Sequence, residues 1–190
     1  SNDLNKFDGV FRHSALLKAI DSSDPSILNS TVRPYLFQNI TPSNSTSNNF
    51  SLTFAGALYI PTGITESVIT STGFEIGGVT MYFADNAIEG SENRQIYAYK
   101  LQNTVKVTTI DNCGTVNPTA GTITLNNFIP DATTAIRITV TPNSLDIAPK
   151  RDELISIDAT RTTMTAEKDT IAVQGSSGTV DYTTTSRFRT

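Results

Sequence analysis

The sequence predicts an α+β fold in which β-structure predominates: an antiparallel meander, with one or two short helices near the start and an extended tail at the end. Three observations lead there. Serine and threonine together number 48, of which 30 are threonine, a residue whose branched side chain suits a pleated, half-exposed strand. Apolar residues recur with a period of two through the middle of the chain, which is strand spacing. The stretches between these runs carry Gly, Pro, Asn and Asp, the residues that turns demand.

The helix comes first. In the segment Ser14 to Asp21, Ser14 is placed to cap an N-terminus, and Leu16, Leu17 and Ile20 share one face. Asp24-Pro25 repeats the start signal, with Pro suited to a first helical position, so Ser26 to Asn29 is expected to form a second short helix. Helices are therefore expected within 14–30. From Thr31 the pattern turns extended, and Thr41 to Asn49 (TPSNSTSNN), polar and without an apolar anchor, reads as an exposed loop.

Strands are expected from residue 50. Phe50, Leu52, Phe54, Leu58 and Ile60 fall on even positions and predict one strand with a single apolar face. Shorter alternations follow at Val79/Met81/Phe83, Tyr97/Tyr99/Leu101, Val105/Val107, Ile123/Leu125 and Ile136/Ile138/Val140. The separators are Gly77-Gly78, Gly90, Asn112 to Gly114, Asn117 to Gly121 and Pro130-Asp131. Arg137, between two apolar neighbours, is expected on the opposite, wetter face.

After Pro149 the texture changes. Residues 150–190 hold six basic and six acidic residues and scattered apolar ones, too few to organise a segment alone. The domain division is thus an α+β body over 1–149 and an extended β-arm or tail over 150–190. Ile155/Ile157, Ile171/Val173 and Val180/Tyr182 have strand spacing and are expected to add to a sheet edge, in the same chain or a neighbour's. With Phe188 they are the candidate self-association residues.

Composition narrows the function classes. A net charge of −4 without a Lys/Arg cluster opposes a general grip on nucleic acid. No run approaches the length of a membrane span, and no basic-then-apolar segment opens the chain. Cys113 is the one cysteine and His13 the one histidine, so no internal disulfide and no Cys-based metal site are expected. His13 reads as structural or surface, and no Gly-x-Ser-x-Gly elbow supports a nucleophile. Asp152/Glu153, Asp158, and Glu167 with Asp169 are interleaved with Lys or Arg and read as solvated surface; no catalytic residue, cofactor or metal is expected. Gly73 to Gly78 matches neither a Walker loop nor a dinucleotide fingerprint and marks a bend. Sequons at Asn29, Asn39, Asn44 and Asn49 are what so Ser-, Thr- and Asn-rich a chain yields by chance. Tyr97, Tyr99 and the Thr41 to Asn49 loop leave open a second class, a receptor- or glycan-binding β-domain.

Three stretches together carry a resemblance: FDGVFRHSALLKAIDSSDPSILNSTVRPYL (Phe7 to Leu36), STGFEIGGVTMYFAD (Ser71 to Asp85) and GTVNPTAGTITLNNFIP (Gly114 to Pro130). They resemble the C-terminal part of the baseplate wedge subunit of T4-like contractile-tailed phages, a relative of baseplate J-like proteins. Asn117-Pro118 departs from that pattern, which has an Asp-Tyr pair there, while the closing DYTTTSRFRT is similar to the family's C-terminus. The resemblance implies a structural virion protein, made late and assembled in the host cytoplasm. It implies a homo-oligomer, dimer or ring, that contacts other wedge proteins and needs no enzyme activity, nucleic acid or membrane.

Overall fold

The computed structural model describes residues 9–62, 66–149, 155–167, 170–172 and 179–181. The fold is mostly antiparallel β, a curled sheet with one α-helix among the described residues. In chain order the elements are α1 (His13–Asp21), β1 (Leu36–Ile40), β2 (Phe50–Thr53), β3 (Ile69–Ser71), β4 (Phe74–Ile76), β5 (Val79–Ala87), β6 (Arg94–Gln102), β7 (Val105–Asn117), β8 (Thr122–Leu125), β9 (Ile136–Val140), a 3-10 turn at Ala159–Arg161, β10 (Thr170–Ala172) and β11 (Thr179–Asp181).

Strands β4 to β8 run as the expected meander, and β2 adds outside β8, giving the order β2-β8-β7-β6-β5-β4. A smaller sheet, β1-β9-β3, is built from strands distant in sequence. Both sheets face one core: Ile40, Ile69, Ile136, Ile138 and Val140 from the small sheet pack with Leu52, Phe83, Ile96, Val116, Ile123 and Leu125 from the large one. Phe128 sits between them, edge-on to Phe83 at 5.2 Å between ring centres, where aromatic quadrupoles favour that arrangement. The sheets are joined by side chains where their backbones do not pair. Ile69 N–H donates to the Asp85 carboxylate, Phe83 N–H to Ser71 Oγ at 2.8 Å, and the Gln38 amide to the Thr53 carbonyl at 2.8 Å.

Several expectations are corrected. The long strand from residue 50 ends at Thr53; Gly56 turns with φ of 89°, and Leu58 re-enters only as a bridge to Pro142, leaving Ile60 exposed. Strands also begin earlier than residue 50, at β1. Ser26 to Asn29 forms no helix: the Asp24 carboxylate accepts from Ser26 N–H and the Asp24 carbonyl from Ile27 N–H, so the Asp closes a turn where a helix would have to propagate. Ser14 lies inside α1, whose first N–H is satisfied from a distance, His13 donating to Asp146 Oδ1 at 2.9 Å.

The Thr41 to Asn49 loop is anchored by a polar group. Asn48 is buried; its amide accepts from Ser43 N–H and donates to the Ser43 and Phe128 carbonyls. Asn112 to Gly114 belongs to β7 and makes no turn there. At Gly114, φ is +132°, and a Cβ would collide with the Thr124 carbonyl oxygen; the register slips here between Ile96 and Ala98, a bulge that keeps the strand going. Gly77 and Gly78, both left-handed, do form the expected bend between β4 and β5, with the Asp131 carboxylate accepting from both N–H groups.

Candidate self-association surface

The feature that stands apart from the packed body is the end of the β6–β7 hairpin. β5 pairs with β6 only as far as Tyr82 opposite Tyr99, and β8 pairs with β7 only over Gly114 to Asn117. Lys100–Gln102 and Val105–Val107 therefore pair with each other and with no third strand among the described residues. The result is a two-stranded arm, a form that is marginal in water without further cover.

The arm closes through Asn103 and Thr104, both at positive φ (49° and 69°), the requirement of the tight two-residue hairpin turn. Asparagine accepts that conformation; threonine, branched at Cβ, does so against its preference. With Gln102 and Val105 flanking such a turn, Val105 and Val107 exchange hydrogen bonds with β6, and Lys106 and Thr108 turn their backbone groups outward. The side chains at the tip are apolar and wet: Leu101 is 52% exposed and Val105 62%. Lys100 and Lys106 flank them, Lys106 lying 5.0 Å from the centre of the Tyr99 ring.

On the face shared with Leu101 and Lys106 runs a stripe of Tyr82, Tyr97 and Tyr99, ring centres 5.7 and 6.1 Å apart. Burial is the main cause that raises the Tyr97 and Tyr99 hydroxyl pKa values above 10. A shallow cleft of about 220 Å³ beside them is lined by Asn86, Ala87, Gln95, Tyr97, Thr108 and Asp111. Tyr97, however, is only 9% exposed, so its ring offers little of the flat platform that a sugar needs.

Comparison with protein-family models, curated proteins and solved structures finds no match to this chain. The geometry must therefore carry the functional reading.

The tail residues are placed less uniformly than their spacing predicts. Ile155 is half-buried and Ile157 is 56% exposed; neither lies in a strand, because the chain here enters the 3-10 turn that Asp158 caps by accepting from Thr160 N–H. The neighbourhood of Asp158 includes Arg137, whose charge contributes to lowering the Asp158 pKa after the larger effects of Thr160. Arg137 also stacks 4.7 Å from the Phe37 ring, on the face opposite Ile136 and Ile138, as its position predicts. Ile171 pairs with Val180 across β10 and β11, which form a sheet of their own. Val173, Tyr182 and Phe188 lie outside the described residues.

The remaining candidates are structural. His13 Nε2 donates to the Val32 carbonyl at 2.9 Å. Cys113 is fully buried, and burial pushes its thiol up to about 11. Among the described residues no group of three His, Cys, Asp or Glu side chains gathers to hold a metal, and no helix is long and apolar enough to cross a membrane. Glu167 is exposed; Asp152, Glu153 and Asp169 lie outside the described residues.

The arm was not singled out from the sequence. Its signal was present: Lys100-Leu101 and Val105-Lys106 place lysine beside apolar residues around a polar turn, a pattern for a surface element. Read as alternation alone, the same residues look like core.

Proposed function

We propose that this chain is a non-enzymatic structural module that self-associates and contacts other chains in an assembly. The observation that carries the reading is the β6–β7 arm, which presents Leu101, Val105 and an unpaired strand edge to water. Natural sheets usually cover or blunt such edges, and a partner is the cover that an assembly protein supplies. The resemblance to the baseplate wedge subunit makes the assembly a phage contractile-tail baseplate, with the protein in the virion beside other wedge proteins. Replacing Leu101 and Val105 by serine tests this. Sedimentation is expected to show weaker self-association with an unchanged fold; an identical mass distribution would count against the arm.

A second reading, a receptor- or glycan-binding domain, is favoured by one observation: the cleft beside Tyr97 is lined by Asn86, Gln95, Thr108 and Asp111, side chains able to bond sugar hydroxyls. A glycan array would return specific hits if it held, and none if the arm reading alone is right.

A further inference from the structure

The arm has a counterpart at the other end of the same sheet. The β5–β6 turn presents Ile88, 38% exposed, flanked by the exposed Glu89 and Glu92. The arm presents Leu101 with Lys106 on one face and Val105 with Lys100 on the other. Each end thus combines exposed apolar side chains with two like charges, and the signs are opposite. Among the described residues none of these four charged side chains enters an ion pair; those found join Arg12 to Asp146, Arg94 to Asp85 and Arg161 to Asp158.

Within one chain the two ends cannot meet. They are held apart by the length of β6, roughly 26 Å at about 3.3 Å per residue, on a ladder that β5 and β7 stiffen. A second copy has no such constraint. We infer that the basic arm of one copy docks on the acidic β5–β6 turn of the next, a head-to-tail contact joining Lys100 and Lys106 to Glu89 and Glu92 around Leu101, Val105 and Ile88. The contact uses two different surfaces, so each copy keeps one free end, and the series closes into a ring or continues as a filament. Opposite charges at its rim select orientation and speed encounter, and salt weakens them. This inference rests on the self-association proposed above and specifies its surfaces.

Charge reversal tests it on the full chain. The arm variant Lys100→Glu/Lys106→Glu and the turn variant Glu89→Lys/Glu92→Lys are each expected to self-associate about tenfold more weakly, because like charges then face each other. Mixing the two variants in equal amounts is expected to restore association, since every arm then finds a turn of opposite sign. The chain carrying all four reversals is expected to associate like the unchanged protein. A turn variant that self-associates normally would overturn the inference, leaving a symmetric arm-to-arm contact as the mode of assembly. If both variants fail and neither the mixture nor the fourfold reversal restores association, charge pairing does not form the contact. An unchanged protein that stays monomeric would remove the proposed function itself, and this contact with it.

Discussion

At the scale of single residues, the fold depends on a few buried polar groups that bind the two sheets. Asp85, with its carboxylate at 1% exposure, accepts from Ile69 N–H and pairs with Arg94. Asp85→Ala would leave that N–H without a partner in a dry seam and the guanidinium with only its long bond to the Glu66 carbonyl, and is expected to cost about 3–5 kcal/mol in urea unfolding, since half-broken buried ion pairs are expensive. The titrations have predictable signs. Asp131, Asp146, Asp158 and Asp24 all lie below the ordinary 3.8; Asp131 is held down chiefly by the Gly78 N–H and then the Gly77 N–H, and Asp146 chiefly by the His13 N–H. Their contribution is present above about pH 4 and is lost as pH falls through the folded values, so thermal melts are expected to move down as pH drops below 4. Cys113 works in the opposite sense: its folded value of about 11 stands above the ordinary 9, so that contribution is complete below 9 and lost as pH rises towards 11. The native thiol is expected to resist alkylation at pH 8 and to react on unfolding. None of Asp85, Asn48 or Arg94 stood out in the sequence, because a buried polar residue is recognised by the partners that other elements bring to it.

At the scale of elements, period-two alternation was a sound guide where a strand had neighbours on both sides: β5, β6, β8 and β9 appear where their apolar residues predict. It failed where backbone geometry intervened. The Phe50 to Ile60 run keeps its parity past Thr53, yet Gly56 turns the chain out of the sheet, and parity cannot register a turn. Asn112 to Gly114 has turn composition but is held in β7 by a bulge and by the Asn126 N–H bond to the Cys113 carbonyl. The arm's own turn is the element with strain to release. Thr104→Gly removes a branched residue from a left-handed position and is expected to raise stability by about 1 kcal/mol, measured as a higher urea midpoint with an unchanged m value.

At the scale of the whole molecule, the sequence anticipates a β-rich body and a polar tail, and the structure supplies what makes the body an assembly candidate: one sheet with an apolar, basic arm at one end and an apolar, acidic turn at the other. The charge of Arg137 in β9 contributes to lowering the Asp158 pKa in the tail, and β10 pairs with β11 of the same chain. Deleting residues 150–190 is therefore expected to weaken self-association less than serine at Leu101 and Val105 does, compared by light scattering at one concentration. The most direct measurement is the mass of the intact chain by sedimentation from about 1 to 100 μM, the range in which contacts of modest area are populated. An average mass climbing above the 20.5 kDa of one chain as concentration rises is the predicted result. A mass constant at that value throughout would contradict the account.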